Sequence, residues 1–248
     1  RSLILDYKNP DDLEQFKLLV ADADVLVENF KPGTAERLGI GYDAMNAINP
    51  RLVYCSISGF GQTGPYAKRG GFDLISQGMT GLAAVCGDED GPPHRLPIPV
   101  TDLCGGMNGA LGVLTAIAAR EQTGEGQHVD TSLYEAGLAL GVYEAAYHFA
   151  TDEVPPRLGQ RHRGSAPYQI FKTKDGYVTV GGAAQKFWSI TCNVLGCPEL
   201  IDDPRFAAKA DRVKNNVELV DILETYFAKE TTDHWFQALD AQGVPAGP

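Results

Sequence analysis

The chain has 248 residues and a formal net charge of −11 at pH 7, a length that suits one large domain or two modest ones. Hydrophobic residues make up 44% and charged residues 21%, as in ordinary globular proteins, which excludes disorder as the main state. The acidic balance argues against general binding to nucleic acid or anionic membranes. The longest apolar run, Ala110–Ala119, contains Gly112 and Thr115 and is closed by Arg120, so no membrane span of about 20 apolar residues is expected.

The first third alternates strands and helices. Leu3–Leu5 reads as a strand. Asn9-Pro10-Asp11-Asp12 is a helix start, with proline and acids where the first turn favours them, and Leu13, Phe16, Leu19 and Val20 then share one helical face. Val25–Val27 reads as a short buried strand, Pro32–Leu38 and Tyr42–Ile48 as short helices, and Leu52–Ser58 as another strand. This rhythm indicates a parallel sheet covered by helices. Residues 59–101 are rich in Gly and Pro, with one helix near Asp73–Thr80. A long helix over Asp102–Arg120 carries small residues that let another backbone approach closely, Gln127–Thr131 reads as a strand, and Ser132–Phe149 as a second long helix. Past Pro155-Pro156, Tyr168–Phe171 and Tyr177–Val180 flank Lys174-Asp175-Gly176, a hairpin signal, and helices follow near 184–195, 216–228 and 232–241. The expected fold class is α/β: a Rossmann-like parallel-sheet large domain over residues 1–150, a linker over 151–164 and a smaller α+β domain over 165–248. The chain opens at Arg1 without methionine and stops at Pro248 in a loop, so both ends read as cut and a targeting segment stays open.

Cys55, Cys86, Cys104, Cys192 and Cys197 are odd in number and contain no C-x-x-C pair. Reduced, mostly buried thiols in the cytoplasm or a similar reducing space are expected. Neither the cysteines nor the histidines show metal-ligand spacing, so no metal site is expected. Gly59-Phe-Gly-Gln-Thr-Gly64 matches the dinucleotide fingerprint, but Pro65 follows at once and Gly70-Gly71 ends any helix that starts. The strand–turn–helix context that the fingerprint requires is therefore missing, and the segment reads as a glycine loop beside a ligand or a tight connection. Arg157, Arg161, His162 and Arg163 form the densest basic run; it either closes over an anion or is a solvated loop.

Val27-Glu-Asn-Phe-Lys-Pro-Gly33 lies at the carboxyl end of an expected parallel strand, where open α/β sheets bind ligands. Asn29 can donate and accept there. Arg37, one turn into the next helix, either reaches a phosphate or is a solvated charge. Ser132-Leu-Tyr-Glu135 has the spacing of a capping box, which on spacing alone is the simpler reading. The same position also suits chemistry, because a carboxylate in the first helical turn meets the positive end of the helix dipole and can attack an electrophile.

Several further segments occur in a characteristic order: Arg37-Leu38-Gly39, Asn49-Pro-Arg-Leu-Val-Tyr54, Ser58-Gly-Phe-Gly-Gln-Thr-Gly-Pro65, Gly71-Phe-Asp-Leu74, Thr101-Asp102, Thr123-Gly-Glu-Gly-Gln127, Val129-Asp-Thr-Ser-Leu-Tyr-Glu135 and Gly243-Val-Pro-Ala-Gly-Pro248. With Val27–Gly33 they resemble the family III CoA-transferases, or CaiB–BaiF family, over essentially the whole chain. The resemblance implies a Rossmann-like large domain whose opening strand and helix lie outside this sequence, and two subunits interlocked as rings in a homodimer. It implies coenzyme A as substrate rather than a prosthetic group, with contacts on Asn29, Phe30, Pro32, Gly33, Arg37 and Leu38, and a closing segment near Arg163–Pro167. The partners it implies are an acyl-CoA and a carboxylic acid. The implied nucleophile is Glu135, where the best-known members carry Asp; its carboxyl stands one methylene further out. Asp130, five residues earlier, is a poor replacement. The family's racemases place a histidine before the Asp of the Gly-x-Asp segment; here that position is Phe72, and only Asp102 remains of their acid–base pair, unless it is a helix cap. The alternatives are therefore an acyl-CoA racemase or isomerase, or a non-catalytic CoA-binding subunit in which Glu135 only caps its helix.

Overall fold

A computed structural model describes all 248 residues. The chain divides into two compact units, Arg1–Cys86 with Pro93–Pro155, and Gly87–Pro92 with Pro156–Pro248.

In the first unit, α1 (Pro10–Ala21) starts at Asn9, whose side chain accepts from Asp11 N. It is followed by β1 (Val25–Glu28), α2 (Thr34–Arg37), α3 (Tyr42–Ile48), β2 (Val53–Ser58), α4 (Asp73–Met79), α5 (Leu82–Val85), α6 (Val100–Thr123), β3 (His128–Ser132), α7 (Leu133–Leu140) and α8 (Val142–Thr151). The three strands form one parallel sheet in the order β1-β2-β3. Val20, Ala35, Ile40, Met45, Leu52 and Tyr54 are buried together on the side of α1 and α3.

Helix α6 covers the sheet through glycines. A Cβ on Gly109 would sit 2.9 Å from Ile57 Cδ1, and one on Gly112 would sit 2.6 Å from Val129 Cγ1. Its last turn is pinned by Arg120, which donates to Arg51 O at 2.8 Å and to Asp24 Oδ1 at 2.8 Å. By length and composition alone α6 is long and apolar enough for a membrane span, a length the sequence reading had not assigned to an apolar run. Its glycine face packed on β2 and β3 is nevertheless that of a sheet-covering helix.

Three local expectations change. Leu3–Leu5 forms no strand; Ile4 is 96% exposed, and an isolated segment without a partner strand leaves its backbone groups unpaired. The expected helix at Pro32 begins only at Thr34, because Gly33 takes the left-handed conformation at φ +83°. The expected Ser132–Phe149 helix breaks at Gly141 into α7 and α8.

The second unit holds β4 (Gln169–Lys172), β5 (Tyr177–Val180), α9 (Gln185–Leu195), a 3-10 turn at Pro198–Leu200, α10 (Lys209–Lys214), α11 (Asn216–Phe227), α12 (Thr232–Asp240) and β6 (Ala246–Gly247). The strands form an antiparallel sheet, β4-β5-β6. The expected hairpin is present, and the sequence reading missed β6, α5 and α10. Asp175 in the hairpin loop accepts from Thr232 N at 2.8 Å, which holds its carboxyl below the usual range and ties the loop to α12. Trp188, Phe171, Phe206, Phe227, Leu219 and Leu223 fill the core.

Within that unit Arg212 has no exposed surface. Its guanidinium donates to Ala166 O at 2.9 Å, Phe206 O at 2.9 Å and Ala183 O at 3.1 Å, and lies over the Trp188 ring. Burial pulls its pKa below the usual arginine value, with the neighbouring Asp211 acting the other way, and no carboxylate forms an ion pair with it. Its role is to satisfy carbonyls at the places where loops cross. Replacing it with methionine strands those acceptors. Arg212→Met is expected to destabilise the protein by about 3–5 kcal/mol, since several buried acceptors lose their donor together. Denaturant unfolding checks this; a loss under about 1 kcal/mol, the scale of a surface change, would show that water replaces the guanidinium.

Candidate functional site

The parallel strands finish along one edge: Glu28 pairs in register with Ser56, and Ser58 with Ser132. Each of the three exits is fixed by a short-range polar contact. After β1, buried Glu28 accepts from Phe30 N at 2.6 Å, and Asn29 Nδ2 donates to Ile57 O at 2.5 Å. The first residues of the Asn29–Gly33 loop are thereby fastened to β2. After β2, Ser58 Oγ accepts from Gly61 N at 2.9 Å, and Asp130 on β3 accepts from Gln62 N at 2.9 Å. The glycine loop is therefore clamped from two strands, with Gly61 and Gly64 both at positive φ. No helix opens inside it, so the dinucleotide context is absent. Asp130 is engaged as the loop's anchor.

Gly59 and Gly71 meet backbone to backbone: a Cβ on Gly59 would lie 2.5 Å from Gly71 Cα, and one on Gly71 would lie 2.4 Å from Gly59 Cα. Gly59 O also accepts from Tyr134 N at 3.1 Å, in the first turn of α7. Three segments distant in sequence are thus joined at one point.

Glu135 is the next residue on α7. The capping box is complete: Ser132 Oγ accepts from Glu135 N at 3.1 Å, and Glu135 Oε2 accepts from Ser132 N at 3.1 Å and from Ser132 Oγ at 2.9 Å. Both bonds to the carboxylate fall on Oε2 and none on Oε1. The side chain is exposed. Cap and nucleophile are therefore compatible, because one oxygen orients the group and the other accepts no hydrogen bond.

Along this strand edge lies a cavity of about 690 Å³. Asn29, Phe30, Lys31 and Pro32 line it after β1, Arg69 and Phe72 after the glycine loop, and Asp102 at the start of α6. Of the residues expected to touch coenzyme A, Asn29, Phe30 and Pro32 border this cavity. Gly33, Arg37 and Leu38 do not. Arg37 is exposed, with a bond to Thr34 Oγ1 at 3.2 Å, and Leu38 packs against the core beside α1. Glu135 does not line the cavity; on α7 Leu133, two residues earlier, does, and the carboxylate in the lining is that of Asp102.

Burial and the neighbouring Asp73 push the Asp102 carboxyl above the usual carboxylate range. Asp73 itself accepts from Thr101 N at 2.9 Å and Thr101 Oγ1 at 2.8 Å. Phe72, at the racemase histidine position, is 78% exposed and borders the cavity. Lys31 and Arg69 were not singled out from sequence; the available signal was two cations in Gly/Pro-rich turns of an acidic chain.

Elsewhere in the first unit His128 does have partners: Ser56 Oγ at 2.8 Å and the stacked Tyr42 ring. In the second unit the basic run is not simply solvated. The acidic excursion Gly87–Pro92 folds against it, with Arg161 paired to Glu89 and Arg157 donating to Asp88 O at 3.0 Å. Ser165, in the Arg163–Pro167 segment expected to close over a ligand, forms an antiparallel bridge with His162 just before it.

The family model for CoA-transferase family III matches residues 1–248. The chain is 40% identical over its full length to acetyl-CoA:oxalate CoA-transferase of Acetobacter aceti, of which it covers 64%. It is 38% identical to succinyl-CoA:glutarate CoA-transferase of Mus musculus, covering 57%. Among solved structures, a CAIB/BAIF family protein from Brucella suis superposes over the whole chain with a TM-score of 0.87 at 36% identity, and the chain covers 66% of it. The chain spans less than two thirds of the length of these two transferases. With the match running from the first residue to the last, the chain belongs to CoA-transferase family III.

Proposed function

We propose that the protein to which this chain belongs is an acyl-CoA:carboxylic acid CoA-transferase with Glu135 as its nucleophile. The observation that carries the proposal is the placement of Glu135 on the first turn of α7, hydrogen-bonded through Oε2 only. The family and the transferase names of the relatives support it.

The chemistry assigned to Glu135 runs in two halves. Its carboxylate attacks the thioester carbonyl of the donor; the C–S bond breaks, CoA leaves as thiolate and a mixed anhydride remains. The thiolate then attacks the Glu135 carbonyl of that anhydride, which releases the donor acid and leaves a Glu135–CoA thioester. In the second half the acceptor carboxylate attacks this thioester and expels the thiolate. The thiolate takes the acceptor's acyl group and Glu135 returns as carboxylate. Glu135 needs the reach of one free oxygen, which its Oε1 has. Coenzyme A is placed along Asn29, Phe30 and Pro32, with Arg37 outside the cavity as a phosphate anchor. Phe72 has no proton to exchange, which disfavours the racemase reading.

A homodimer is part of the same reading. Leu103, Met107, Leu111 and Leu114 form an apolar stripe along α6, each at least 50% exposed, and such a stripe needs cover from a second subunit or from more of the chain. Five free thiols accord with a reducing compartment such as the cytoplasm.

Glu135→Gln in the full-length protein keeps an oxygen for Ser132, so its stability is expected to stay within about 0.5 kcal/mol of wild type. Turnover is expected to fall by on the order of 10³-fold or more, because the amide forms no anhydride. Steady-state kinetics with thermal melts checks both; wild-type turnover would return Glu135 to a cap in a CoA-binding subunit.

Arg37→Ala is expected to weaken coenzyme A binding by ~1.5–3 kcal/mol, the worth of a charge-assisted hydrogen bond, with folding nearly intact. Calorimetry measures this, and an unchanged affinity would make Arg37 a solvated charge.

A further inference from the structure

Two of the five cysteines, Cys192 and Cys197, lie in the second unit, and neither has exposed surface. Both belong to the core cluster that holds Trp188, Phe206 and Phe227. The transferase chemistry uses neither of them. Cys192 is in the last turn of α9, and Cys197 is the second residue past its end.

The way α9 ends brings the two together. Gly196 takes the left-handed conformation at φ +76°. Its N–H donates to Asn193 O at 3.2 Å, and Cys197 N donates to Cys192 O at 2.9 Å. These two bonds make a Schellman motif, in which the side chains at the ends of the longer-range bond commonly meet as an apolar contact. Here the residues at those ends are both thiols, and the Cys192 S–H donates to the Cys197 sulfur. A disulfide needs Cα atoms about 4.4–6.8 Å apart, a range that a main-chain hydrogen bond between the same two residues already imposes.

The two thiols are not equivalent. The hydrogen bond from Cys192, with the charge of Lys229 behind it, holds the Cys197 thiol below its usual range against the effect of burial and of Glu199. The same hydrogen bond, together with burial, pushes the Cys192 thiol up. Cys197 is therefore the nucleophilic sulfur and Cys192 the resolving one. Cys55 and Cys86, in the other unit, are both pushed up by burial.

We propose that Cys192 and Cys197 form a redox modification site, at which a hydroperoxide closes an intramolecular disulfide across the end of α9. The Cys197 thiolate attacks one oxygen of hydrogen peroxide; the O–O bond breaks, hydroxide leaves and a sulfenic acid remains. The Cys192 sulfur then attacks the Cys197 sulfur and the S–O bond breaks. The departing hydroxide takes the Cys192 proton and leaves as water. The thiol pair loses two electrons, and the peroxide, with the two thiol protons, ends as two waters. An enclosed pair suits an oxidant little larger than water, and in a reducing space such a disulfide is transient. The assignment is independent of the transferase reading.

The full-length protein is treated with hydrogen peroxide, denatured in iodoacetamide and digested with trypsin, which releases both cysteines on one peptide, Phe187–Arg205. The expected result is an unalkylated peptide two hydrogens lighter than its dithiol form, with Cys55, Cys86 and Cys104 alkylated at the same peroxide dose. Dithiothreitol before alkylation is expected to return the peptide to its doubly alkylated form. In Cys192→Ser the Cys197 sulfur, without its resolving partner, is expected to go on to the sulfinic acid. In Cys197→Ser, Cys192 is expected to oxidise about tenfold more slowly than Cys197 does in Cys192→Ser, following thiolate character. Recovery of the wild-type peptide with both thiols alkylated, or with one sulfur oxidised and no disulfide, would overturn the proposal. So would a disulfide from either residue to a different cysteine.

Discussion

The close approach of Gly59 to Gly71 is the constraint on which the candidate site depends. No side chain fits between the two backbones. Because they touch, the loop after β2 folds back on itself, and the Gly59 carbonyl is free to meet Tyr134 N–H at the start of α7. That one junction places Glu135, the glycine loop and Arg69 around the edge of the same sheet. The remaining anchors serve the same geometry: Ser58 and Asp130 hold the loop's amides, and Asn29 and Glu28 hold the turn after β1. All are hydrogen bonds to backbone groups that would otherwise be unpaired at strand ends, where a lost partner costs more than the bond itself contributes.

Charge is distributed against the average of the chain. The acidic excess is spread over the surface, while the cavity wall carries Lys31 and Arg69 with Asp102 as its carboxylate. The densest basic run, by contrast, is occupied within its own unit, where Glu89 and the carbonyls of the Gly87–Pro92 excursion take up Arg161 and Arg157. A count of basic residues would have favoured the run; the contacts favour the two isolated cations.

Much of the fold was legible in the sequence. β1 and β2 stand out as short apolar runs bounded by turn residues, and the helix starts at Asn9 and Ser132 were given by their capping chemistry. What escaped depends on contacts distant in sequence. Leu3–Leu5 has strand composition but no neighbour. Ala246–Gly247 has no pattern of its own and is a strand only because β5 offers it an edge. Gly141 was visible, yet a lone glycine inside a helical pattern does not by itself announce a break. At the site, the strand end pointed to the Asn29–Gly33 loop and the capping spacing to Glu135 as a cap, while the coenzyme A contacts and the nucleophile role came from the family resemblance. Arg69 was not foreseen, because only the Gly59–Gly71 contact folds its segment back to the cavity.

The central claim is that Glu135 becomes covalently linked to coenzyme A. Mixing the full-length protein with an acyl-CoA donor and no acceptor acid, reducing the product with borohydride and mapping peptides by mass tests it most directly. A thioester on Glu135 is reduced to the corresponding alcohol, so the account predicts that modification on the peptide carrying Glu135 and on no other. Its absence under turnover conditions, or its appearance on Asp130 or Asp102, would contradict the account.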